Sequence, residues 1–155
     1  MRLSTFLVFL FLAAAATAQQ AEVDAELVRD CFAEARADGG VPSCAGDAAD
    51  ACRVRPGGGT TLGISQCLMA ETQVWVGLMN AAIARQAEAF GRDRPELVAE
   101  LHAVQDAWVA YRDAECGLRY AIWVGGSIRT IVAGSCHLRK TAARALELRD
   151  LGSME

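Results

Sequence analysis

Six cysteines, Cys31, Cys44, Cys52, Cys67, Cys116 and Cys136, all lie downstream of an apolar leader, and nothing else constrains the fold of this chain as strongly. Arg2 supplies a positive start, Phe6 to Ala16 is an apolar run, and Ala16-Thr17-Ala18 fits the small-x-small pattern of a cleavage site. The expectation is a signal peptide over residues 1–18, cleaved after Ala18, and a mature chain that is periplasmic or secreted. An uncleaved membrane anchor is the alternative reading. The run is too short to cross a bilayer, and no later segment reaches the roughly 20 apolar residues a spanning helix needs, so no membrane span is expected in the mature chain. An even number of cysteines in a small exported chain points to a disulfide framework. Spacing favours Cys31–Cys44, Cys52–Cys67 and Cys116–Cys136, because each closes a short loop between adjacent elements. A metal site is the rival use of these residues. There is no CxxC, and His137 directly follows Cys136 on an expected helix, where neighbours point apart. Neither a metal nor a cofactor is expected.

The 155 residues suit one domain, here 19–155, with enough chain to bury a core. Apolar periodicity is helical and strand-like alternation is absent, so the fold class is all-α. The expected architecture is a small disulfide-stabilised helical bundle of three longer helices plus one or two N-terminal helices. Residues 22–37 read as a first helix, stopped by Gly39-Gly40 and Pro42, and Ser43 can cap a short second one running to Cys52. Residues 55–62, with Pro56 and three glycines, form a loop rather than a phosphate cradle, since no GK[ST] follows. Ile64, Leu68, Trp75, Leu78 and Ala82 then recur at helical spacing, with Gly91 as a C-cap. Asp93-x-x-Glu96, with Pro95 in the first turn, starts the next helix, which places Leu97, Leu101, Val104 and Trp108 on one face. Ser127 caps a last helix bearing Ile128, Ile131, Leu138, Ala142 and Leu146, which Gly152 ends.

Charged residues fall on two of these apolar faces. At 100° per residue Arg112 and Glu115 continue the stripe of Leu101 and Trp108, while Asp106 and Asp113 point elsewhere. Glu71 sits in the middle of the Ile64–Leu68–Trp75–Leu78 face. A charge on a core face is costly unless it is paired and hydrogen-bonded. The expectation is that Glu71 meets Arg112 between the two helices, with Glu115 or a backbone carbonyl completing the network. The catalytic alternative makes Glu71 and Glu115 a glycosidase-type carboxylate pair. Arg112 would work against the raised pKa such chemistry wants. His102 and His137 lie in no nucleophile or metal pattern, so no catalytic residue is assigned and the chain is not read as an enzyme.

With these residues in place, the chain resembles the lysozyme inhibitor LprI-like N-terminal domain family. The likeness rests on Gln105-x-x-Trp108-x-x-Tyr111-Arg112-Asp113-Ala114-Glu115-Cys116, then Gly125-Gly126-Ser127-Ile128, Cys136 and a closing Arg144-Ala-Leu-Glu-Leu148. Cys67 with Glu71 looks like the family's opening, so the likeness covers about residues 67–148. Where the family shows Leu-Asn-x-x-Tyr, Met79-Asn80 leads here to Ile83. The resemblance implies a small, exported, disulfide-stabilised helical domain and, for a named member, inhibition of lysozyme. It implies Glu71, Gln105, Trp108, Tyr111, Arg112, Asp113 and Glu115 as a structural signature, not as inhibitory residues.

Removing Arg2 with the leader takes Lys+Arg from 15 to 14 against 19 acidic residues, a net charge of about −5. That sign argues against nucleic acid or an anionic membrane as partner and permits a basic one. The function expected is an exported periplasmic binding protein, a lysozyme inhibitor by family resemblance, whose partner is a basic lysozyme or another envelope protein. The alternative is a non-catalytic cell-envelope interaction or scaffold protein. The 55–62 loop and the Trp123–Ser127 turn are the candidate contact loops. A thiol oxidoreductase is disfavoured by the missing CxxC.

Overall fold

The structure, a computed structural model, describes residues 21–153; the leader assigned above lies outside them. Five helices follow in order: α1 (Ala25–Glu34), α2 (Asp47–Arg53), α3 (Thr61–Asp93), α4 (Glu96–Ile122) and α5 (Arg129–Arg149). All six cysteines are paired, as Cys31–Cys44, Cys52–Cys67 and Cys116–Cys136. The all-α fold and the spacing-based pairing are therefore as expected. No described helix is long and apolar enough to cross a membrane.

The three long helices make the bundle. Gly134 of α5 sits against Leu68, and Gln86 of α3 donates to the Leu148 carbonyl at 3.0 Å, so α3 and α5 run parallel. α4 runs antiparallel to α5, with Cys116 bonded to Cys136 and Lys140 opposite Tyr111. The main core gathers Trp75, Met79, Leu101, Ala142 and Leu146 with Val28 and Phe32 of α1. Phe32 meets Trp75 edge to face, with centroids 6.2 Å apart. A smaller cluster of Ala49, Cys52, Cys67, Leu68 and Leu138 seats α2.

Several helix ends differ from the sequence expectation. α1 is shorter than residues 22–37 and starts behind Asp24, whose carboxylate accepts from the Glu26 amide. α2 begins after Gly46, not Ser43, and has no side-chain cap of its own. α3 runs through Gly91 to Asp93, because Pro95 rather than the glycine ends it. Asp93 is thus the last residue of α3 and does not cap α4. α5 starts at Arg129, and Ser127 contributes only a carbonyl, to Thr130. Val104, placed on the apolar face of α4, is more than half exposed, whereas Leu101 is buried.

α1 and α2 are too short to hold themselves in water. Besides two disulfides, each is tied down by a charge that matches its dipole. Arg149, at the end of α5, donates to the Phe32 and Ala35 carbonyls at the C-terminus of α1 and pairs with Asp150 at 2.6 Å. Glu71 serves the N-terminus of α2, as described below. The cation at a C-terminus and the anion at an N-terminus are the favourable arrangement.

The glycine loop is a tight joint between α2 and α3. Gly57 has φ +81°, and a Cβ on Gly63 would lie 2.1 Å from the Gly57 carbonyl oxygen, which is backbone and cannot swing away. Gly63→Ala is expected to cost at least about 1–3 kcal/mol through overpacking. Gly77→Ala, on an open face of α3 with nothing within 4 Å, should stabilise by about 0.5–1 kcal/mol. Urea unfolding of the two variants checks both signs.

Candidate functional site

Glu71 lies fully buried on the inward face of α3. Its Oε1 accepts from the Gly46 amide at 2.8 Å and from Trp75 Nε1 at 3.1 Å, and its Oε2 accepts from the Ala49 amide at 2.7 Å. The carboxylate is the missing N-cap of α2, supplied across the fold. Two of the orphan amides at a helix start are satisfied, and the negative charge sits at the positive end of the dipole. The expected Glu71–Arg112 pair does not form. The helical wheel located the inward direction of Glu71, but the partner waiting there is backbone.

Arg112 instead lies over the Trp108 ring, 5.1 Å from its centroid, and pairs with its neighbour Asp113 at 2.8 Å. The indole face and the Asp113 carboxylate together compensate a guanidinium that is only 15% exposed, which explains an arginine at the margin of an apolar stripe. Arg144 of α5 approaches the same ring at 5.8 Å, so Trp108 holds two cations. Arg144 Nε also donates to Gln105 Oε1 at 3.1 Å, while Gln105 Nε2 reaches the Met79 sulfur at 3.4 Å. Gln105 thereby joins α3, α4 and α5.

One turn further along α4, Tyr111 donates its hydroxyl proton to Glu115. Glu115 pairs with Lys140 of α5 at 2.7 Å and with Arg119 at 2.8 Å, and Lys140 also donates to the Tyr111 oxygen at 3.1 Å. The Lys140 ammonium, then the tyrosine hydroxyl and Arg119, hold the Glu115 carboxyl down at about 2. In return Glu115 raises the lysine. The cluster lines an open groove of about 860 Å³ between α4 and α5, with Trp108, Tyr111, Arg119, Arg139 and Lys140 among its walls.

This arrangement suits clamping, not proton transfer. Glu71 has no access to solvent and Glu115 is fixed as an anion, so the two do not form the acid and base that glycoside hydrolysis needs. His137 lies 3.8 Å from Asp113, and burial and then Arg112 lower its pKa. His102 is exposed. With every cysteine in a disulfide, no thiolate is left to ligate a metal, and no cluster of three potential ligands occurs among the described residues.

The pH dependence of the clamp follows from the lowered Glu115 carboxyl. A carboxylate whose folded pKa lies below its ordinary 4.5 contributes stability that is fully present above that value. The contribution is lost as pH falls from 4.5 towards about 2. Glu115→Gln should therefore melt below the parent near neutral pH, with the gap closing over that acid window. A gap that stays constant into acid contradicts the assignment.

Of the signature residues, Gln105, Trp108, Tyr111, Arg112 and Glu115 gather along the α4–α5 seam, with Asp113 at its margin, while Glu71 stands apart under α2. Lys140 and Arg119 carry no motif of their own in the sequence. The register of the Cys116–Cys136 bridge points to Lys140, because one turn back on α4 and one turn on along α5 brings residues near 112 and 140 together.

Residues 52–148 match the lysozyme inhibitor LprI family, and the chain belongs to it. The match starts at Cys52, so it takes in the glycine joint and the Cys52–Cys67 bridge as well as the 67–148 stretch seen in the sequence. A curated relative, the "Uncharacterized 17.7 kDa protein in puhA 5'region" of Rhodobacter capsulatus, is 28% identical over 130 residues, covering 77% of this chain and 80% of its own length. No solved structure matches the chain.

Proposed function

We propose that this member of the lysozyme inhibitor LprI family is an exported, non-catalytic binding protein whose partner is a basic lysozyme. Family membership over residues 52–148 is the observation that carries this reading. Three disulfides support an oxidising compartment outside the cytoplasm, in keeping with the signal peptide read at residues 1–18. The net charge of −4 over the whole chain supports attraction to a basic target. The burial of Glu71 and the locked anion at Glu115 support binding over hydrolysis.

The test is direct association of the oxidised chain from Gln19 with a basic c-type lysozyme across a salt series. Saturable 1:1 binding is expected, with an on-rate that falls about tenfold or more as steering is screened. Absence of binding with the chain in excess, at low salt, contradicts the reading.

A further inference from the structure

The charges of this chain are segregated along it. All 19 acidic residues lie outside residues 117–146, a segment that carries Arg119, Arg129, Arg139, Lys140 and Arg144; the flanking Glu115 pairs with Arg119 and Lys140 and Glu147 with Arg144, which leaves Arg129 and Arg139 without a carboxylate partner among the described residues. That segment is the end of α4, the turn and most of α5. Charges separated by more than a Debye length of about 8 Å act independently at physiological salt, whereas α4 alone is about 40 Å long. The net charge of the whole molecule therefore does not describe the potential at the α4–α5 tip.

The same tip is apolar and uncovered. Leu118, Tyr120, Ile122, Trp123, Val124 and Ile128 are all exposed, Ile122 by 66% and Val124 by 75%. They follow closely along the chain through the end of α4 and the connecting turn, where Gly125 at φ +92° lets the chain reverse tightly. Parallel packing of α3 and α5 brings the start of α3, with exposed Leu62, to this end as well. Arg129 lies over the Tyr120 ring at 5.0 Å, and Arg119, half exposed, pairs back with Glu115, so cations border the apolar residues. Contiguous exposed apolar surface marks a site of contact. Aliphatic side chains at an extremity, a tryptophan and a tyrosine beside them, and arginines able to reach up to phosphates make the pattern of an interfacial anchor.

We propose that the α4–α5 tip docks peripherally on an anionic lipid bilayer, with Ile122, Trp123 and Val124 entering the headgroup–acyl boundary and Arg129 contacting lipid phosphates. This inference does not depend on lysozyme being the partner, and it requires no spanning helix.

The test mixes the oxidised chain from Gln19 with vesicles of phosphatidylglycerol in phosphatidylcholine, or of phosphatidylcholine alone, followed by flotation and tryptophan emission. Trp75 is buried and Trp108 half-buried, so a blue shift reports Trp123. Expected are a blue shift and flotation with the anionic vesicles, much weaker flotation with the neutral ones, and loss of both in high salt. The I122D/V124D variant alters only exposed side chains and should unfold at the parent's urea midpoint, yet partition about tenfold or more weaker. Arg129→Gln should cost about fivefold. Failure of the parent to float with phosphatidylglycerol vesicles, or equal partition of parent and I122D/V124D, overturns the proposal. So does self-association that I122D/V124D abolishes while vesicles are ignored, since the occupant would then be a second copy of this chain.

Discussion

Glu71→Gln is expected to lower the unfolding free energy by about 2–3 kcal/mol, and Glu71→Ala by about 5 kcal/mol. In the parent, one carboxylate accepts from three N–H donors, those of Gly46, Ala49 and Trp75. An amide offers one oxygen and one NH2 group. If its oxygen keeps Gly46 and Trp75, its NH2 faces the Ala49 amide, donor against donor. If it flips, the other two are stranded. The remaining bonds also lose their charge assistance. Alanine leaves all three donors unpaired and opens a cavity beside Trp75. Asp106→Asn, on the exposed face of α4, should stay within about 0.5 kcal/mol of the parent. Urea unfolding of the three variants measures this directly, and equal midpoints for Glu71→Gln and Asp106→Asn contradict the cap.

Removal of the Cys52–Cys67 bridge, as C52A/C67A, is expected to cost about 3 kcal/mol from loop closure alone. The bridge spans 15 residues, joins α2 to α3, and both cysteines are buried. Its effect should overlap with that of Glu71→Gln, because both changes release the same seven-residue helix from α3. Once α2 is free to leave, its amides are solvated and the cap has nothing left to hold. The double variant combining C52A/C67A with Glu71→Gln is therefore expected to fall short of the sum by about 1–2 kcal/mol. By contrast, C116A/C136A acts on the α4–α5 seam and should add to Glu71→Gln without coupling. Full additivity in both combinations contradicts the view that bridge and carboxylate act on one element.

What the sequence revealed and what it hid have physical causes. The disulfides were readable because each joins elements adjacent in the chain, so short loops and correct pairs coincide. The helices were readable because Leu68, Trp75 and Leu101 carry a helical period that burial enforces. The caps were not. Ser43, Asp93 and Ser127 each have the right chemistry for an N-cap, yet α2, α4 and α5 begin elsewhere. For α2 the deciding acceptor comes from α3, a tertiary contact with no local signature. Glu71 shows the same limit from the other side. Its inward direction follows from periodicity, but an amide has no letter in the sequence, and Arg112 was the visible cation. Arg112 found Trp108 four residues back and Asp113 beside it, which together compensate a mostly buried guanidinium. Lys140 lay within reach of inference, since the Cys116–Cys136 register places it against Tyr111 and Glu115. The exposed tip was hidden by averaging, because an acidic total says nothing of residues 117–146, where no carboxylate occurs.

Residual activity of a basic c-type lysozyme, titrated with the oxidised chain from Gln19 and separately with the same chain reduced and alkylated, tests the central functional claim most directly. Stoichiometric loss of activity with the oxidised chain, weakened by salt and absent with the reduced chain, is the predicted result. Full lysozyme activity in the presence of excess oxidised chain at low salt would contradict it.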